Sequence, residues 1–77
     1  MSALLNSFDV TLKIQLKKRY DDDVPQAHML ARLFNMRCDE KDAINEETMQ
    51  AWLDGKAQPK EGQLKILQAW LGLLANT

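Results

Sequence analysis

INEETMQAWLDGKAQP, residues 44–59, decides how this chain is read. Asn45 is a strong N-cap, because its side-chain oxygen can accept from a free N–H of a first helical turn. Thr48, Met49, Trp52 and Leu53 then fall on one face at helical spacing. Gly55 stands where helices most often end in the left-handed region, and Pro59 bars continuation. A short helix closed by Gly55 is predicted. Its outward face carries Glu46, Glu47, Gln50, Ala51 and Asp54, so three of five outward residues are acids. Acids in a first turn complement the helix dipole by roughly 0.3–1 kcal/mol each. The two glutamates thus have a structural reason to be there whatever else they do.

Working outward, DDDVPQAHMLARLFN (21–35) predicts the preceding helix. Asp23 is its expected cap, Pro25 is tolerated in its first turn, and Ala27, Leu30, Ala31 and Phe34 recur at helical spacing. Ala31 is small and mid-stripe, as a close helix crossing requires. MRCDEKDAI (36–44) has no sustained period and reads as a loop. Beyond Pro59, KEGQLKILQAWLGLL (60–74) sets Leu64, Leu67, Leu71 and Leu74 in one stripe. Ile66, Trp70 and Leu73 widen that stripe beyond the ~100° a core-facing helix needs.

SFDVTLKIQLKKRY (7–20) is two-sided. Phe8, Val10, Leu12, Ile14 and Leu16 alternate as in a strand, while Phe8, Leu12, Leu16 and Tyr20 make a helical stripe. No second alternating run offers a strand partner, so a helix is predicted, with Val10 and Ile14 off its main stripe. The whole is expected to be one domain over residues 1–77: an all-α, compact bundle of four to five helices.

Composition narrows the function classes. A 45% apolar and 27% charged chain is globular in type. No apolar run approaches a membrane span, and SALLNSF lacks the basic start and long apolar core of a signal peptide, so a cytoplasmic protein with no membrane partner is expected. One Cys and one His cannot make a structural zinc site, and no cofactor or metal is expected. The net charge of −1 weakly disfavours nucleic acid. Its distribution is uneven: Lys13, Lys17, Lys18 and Arg19 against Asp9 give the first twenty residues a local +3, which Asp21, Asp22 and Asp23 then cancel.

LARLFN, a loop, NEETMQAWLDGKAQP and LKILQAWLGL, in that order, resemble the lambda-repressor-like (Xre/Cro-type) helix-turn-helix domains of bacteria and their phages. The resemblance covers about residues 9–73. Two departures stand out. The usual turn between helices two and three is ~3–4 residues, whereas residues 35–44 intervene here. The third helix, which reads bases in that family, is here acidic.

The resemblance implies a sequence-specific transcriptional regulator of repressor type that binds double-stranded operator DNA. Base reading falls to Asn45, Glu46, Glu47, Gln50 and Ala51. Gln50 pairs best with adenine, a glutamate can accept from cytosine N4, and Ala51 can meet a thymine methyl. Phosphate contact falls to Gln26 at the start of the second helix and to Lys56 and Lys60 after the glycine stop; Arg37 and Lys41 of the lengthened loop are further candidates. His28 reads as a surface residue. Useful affinity argues for a homodimer, placed on the fourth helix at Ile66, Trp70, Leu73 and Leu74, the apolar residues expected to overhang the core. A protein-binding adaptor or antitoxin-like module on the same fold is the alternative, and the acidic third helix favours it. No catalytic constellation and no small-molecule site is evident, so an enzyme is not expected. Cys38 reads as a spare thiol whose pKa Asp39 and Glu40 raise, and YDDDV lacks the glycine and alternating ligands of a calcium loop.

Overall fold

The first segment resolves in favour of the helical stripe. In the computed structural model, which describes residues 8–72, α1 runs Phe8–Tyr20. Leu12 and Leu16 are buried, Phe8 and Tyr20 pack against the core, and Val10 and Ile14 are left 50% and 48% exposed. α2 (Ala27–Asn35), a single 3-10 turn (Glu40–Asp42), α3 (Glu46–Leu53) and α4 (Glu61–Leu71) follow, and no strand occurs among the described residues. No described helix is long and apolar enough to cross a membrane.

One core joins the four helices. α2 buries Ala27, Leu30, Ala31 and Phe34, the whole expected stripe, against Met49 and Trp52 of α3. Phe34 and Trp52 meet edge to face, with ring centroids 5.4 Å apart and planes at 80°. Such a pair adds ~0.5–1.5 kcal/mol beyond the area it buries. α4 contributes Leu67, Trp70 and Leu71.

Trp70 corrects the reading of α4. It is only 5% exposed and belongs to the core, and Ile66 packs partly buried beside it. Leu64, expected to face inward, is only half-buried. Among the described residues, the part of the stripe that runs through Ile66, Leu67, Trp70 and Leu71 is taken up by the chain's own core. Its indole Nε1 is buried without a hydrogen-bond partner among the described residues, while the Arg37 guanidinium lies 5.0 Å over its ring centroid. Leu73 and Leu74 lie outside the described residues.

Helix ends follow local chemistry in most places. Asn45 accepts from the Thr48 N–H at 2.8 Å, as its residue type predicts. Gly55 stops α3 at φ 75°, with the Lys56 N–H donating to the Ala51 carbonyl at 2.9 Å and the Gly55 N–H to Trp52 at 3.2 Å. These two bonds satisfy carbonyls that the helix end would otherwise orphan. Asp23 does not cap α2. The helix starts later, with extended Gln26 as N-cap, making no side-chain cap bond, and Pro25 lies just outside it. α1 ends on Asp21 at φ 57°, a left-handed position that costs a non-glycine residue energy.

The ten-residue connection between α2 and α3, residues 36–45, is pinched at its base. Asn35 Nδ2 donates to the Ile44 carbonyl at 2.7 Å, and the Ile44 N–H donates back to Asn35 Oδ1 at 2.8 Å. A side-chain amide thus pairs with the backbone as a neighbouring strand would. Gln63, 7% exposed, ties the loop to α4. Its Nε2 donates to the Asp42 carbonyl at 3.1 Å while its Oε1 accepts from the Lys60 N–H at 2.8 Å. Only this half of a capping box can form, because a lysine ammonium has no acceptor.

Two stability outcomes follow. Asn35→Ala removes both clamp bonds and strands two partly buried backbone groups, so urea denaturation should register a loss of about 1–3 kcal/mol. Asp21→Gly relieves the left-handed strain and removes an acid from a helix C-terminus, so the same measurement should register a gain of roughly 1 kcal/mol.

Candidate functional site

α3 presents its polar face to solvent because its other face is taken by Met49 and Trp52. Asn45, Glu46, Glu47, Gln50 and Asp54 are all exposed, and Ala51 is half-buried. The Asn45 oxygen is committed to its cap, which leaves its Nδ2 free to donate outward. Gln50 Nε2 donates to Asp54 Oδ1 at 3.1 Å, one turn along the helix. The Gln50 side-chain carbonyl and its second amide N–H have no such partner among the described residues. The bond favours one amide orientation while leaving an acceptor and a donor side by side.

α1 packs against α3. Near the start of α1 the Asp9 carboxylate lies close enough to Gly55 that a Cβ there would sit 3.1 Å from it. Farther along, Lys13, Leu16 and Lys17 line a cleft of about 370 Å³ together with Val24, Pro25, Leu30, Gln50, Leu53 and Asp54. The apolar lining is aliphatic, and the polar members are two lysines, the amide and one carboxylate. Lys13 and Lys17 were not among the residues expected at the site. The run of four bases before Tyr20 is plain in the sequence; which two of them meet α3 depends on how α1 packs.

The phosphate candidates separate into two groups. Gln26 at the start of α2, Lys56 after the α3 stop and Lys60 at the start of α4 are all exposed at helix ends. Gln26 directly follows Pro25 of the cleft wall. Arg37 is engaged elsewhere: its Nη1 donates to the Leu33 carbonyl at 2.7 Å and its guanidinium covers Trp70. With Lys65, Ile66, Ala69 and Trp70 it lines a second pocket of about 290 Å³, which does not include Gln50. Lys41 is exposed on the 3-10 turn, and His28 is exposed in the first turn of α2.

Cys38 is half-buried at the base of the loop, its Sγ 3.9 Å from the Asn35 carbonyl. Burial pushes its thiol up from the ordinary range, and the carboxylates of Asp42 and Asp39 add to this. Asp42, rather than the Glu40 expected from sequence proximity, is brought into play by the 3-10 turn. Raising the pKa keeps the protonated, unreactive form at neutral pH. The rate of alkylation should therefore rise with pH only above the range of an ordinary thiol, and Asp42→Asn should move that rise to lower pH. No protein-family model matches the chain, and neither does any curated protein or solved structure.

Proposed function

We propose that the chain is a sequence-specific binder of double-stranded DNA, a small lambda-repressor-like regulator that lays α3 in the major groove and acts as a dimer. The observation that carries this reading is the exposed polar face of α3. A helix pair whose buried residues are all apolar holds out a capped N-terminus, Glu46, Glu47 and Gln50. Gln50 offers the acceptor and donor that adenine N6 and N7 require, and its bond to Asp54 favours one arrangement of the two. Glu46 and Glu47 suit cytosine N4. Gln26 with the first-turn N–H groups of α2, Lys56 and Lys60 serve the phosphates. The dimer rests on affinity: a domain this small makes few phosphate contacts, and paired half-sites multiply them.

The acids on α3 favour a second reading, a protein-binding adaptor with a basic partner. Selection on randomised duplex DNA at two salt concentrations separates the two. Two inverted half-sites about one turn (~34 Å) apart are expected to emerge. Gln50→Ala should relax one position of each by ~1–3 kcal/mol. Lys56→Ala with Lys60→Ala should weaken every duplex alike and flatten the slope of log K against log salt by ~0.9 per contact. Absence of enrichment together with no duplex binding at low salt would leave the adaptor reading.

A further inference from the structure

The outward face of α3 carries a conflict that its own residues do not resolve. Glu46, Glu47 and Asp54 are exposed and repel a phosphate backbone, and Asp54 sits beside the residue best suited to read a base. Charges offset one another effectively only within about 8–10 Å at ordinary salt. Lys56 and Lys60 follow the end of α3 in the chain. The cations that share a cleft with Gln50 and Asp54 are Lys13 and Lys17 of α1.

We propose that Lys13 and Lys17 form a phosphate-binding track, contacting neighbouring backbone phosphates of the strand that flanks α3. The proposal rests on α3 being the groove helix. Both lysines are exposed and lie one turn apart on the same side of α1. Their spacing along the axis is about 6 Å, close to the step between adjacent phosphates of a strand. The apolar lining of the cleft is Leu16, Val24, Pro25, Leu30 and Leu53. The lysine stems have an apolar surface to lie along while their ammonium heads reach the polyanion. Pro25 of the cleft wall leads directly into Gln26, the N-cap of α2, so the track is continuous with the end of α2 that favours an anion. Lys18, on the same helix, is absent from this cleft, and Lys65 on α4 lines the pocket beneath Arg37.

The test uses the full chain and a mixed-sequence duplex, with binding measured across a series of salt concentrations. Lys13→Ala with Lys17→Ala is compared with the charge-matched pair Lys18→Ala with Lys65→Ala. Alanine favours a helix, and Lys13→Gln with Lys17→Gln provides a second neutral pair. The expected result is a slope of log K against log salt flatter by roughly 1.8 in both cleft pairs, from ~0.9 per phosphate contact, and little changed in the control pair. Equal slopes in all pairs would reduce the lysines to bulk charge and overturn the track. Duplex binding by the wild type with unaltered slopes in the cleft pairs would also overturn it, and leave α3 as the groove helix. A wild type that binds no duplex at low salt would overturn both.

Discussion

The contact of the Phe34 ring with Trp52 sets the phase of α3. With Trp52 turned into the core, fully enclosed at 1% exposure, the helical step of about 100° per residue turns positions two places away to the far side. Gln50 and Asp54 are those positions. Their exposure, and the hydrogen bond between them, are consequences of burying one indole. Phe34 also directly precedes Asn35, the last residue of α2, so the same packing presents the carboxamide to Ile44. The polar face and the closed loop thus hang on one aromatic pair.

Local signals in the sequence were sufficient where the chemistry is local. Asn45 caps within three residues, Gly55 needs only its own backbone, and the spacing of Leu12 and Leu16 outweighs the alternation of Val10 and Ile14. Signals failed where the partner lies far along the chain. Trp70 reads as surplus because periodicity reports which face is apolar and not how much of it other elements cover. The Asn35 clamp spans nine residues and the Gln63 bridge twenty-one, and neither leaves a mark in composition. Gln26 displaced Asp23 as cap because Asp23 is still part of the turn that closes α1, its N–H donating to Tyr20. The candidate site divides in the same way. Its α3 half is legible from Asn45 to Gly55, and its α1 half is not.

Net charge does not describe how charge is laid out on this surface. Near-neutrality conceals an arrangement in which acids occupy the face of one helix and bases the flank of its neighbour. The hydrogen bond between Gln50 and Asp54 is of a kind that stabilises a helix by only ~0.2–0.5 kcal/mol. At an exposed position such a bond breaks and reforms on the picosecond to nanosecond scale. It biases the amide without locking it.

The pinch at Asn35 and Ile44 has a consequence for how this chain can change over time. A connection that leaves and returns at one point is, to the rest of the fold, a short one. Closing a loop costs little more as it lengthens, about 0.6 kcal/mol per doubling. Residues between the two clamp points can therefore lengthen, shorten or drift while α2 and α3 keep their mutual placement. The exceptions are Arg37, whose guanidinium covers Trp70, Cys38, which packs against the core, and Asp42, whose backbone Gln63 holds. Variation is expected to concentrate between those anchors, where the loop offers room for new surface chemistry to accumulate.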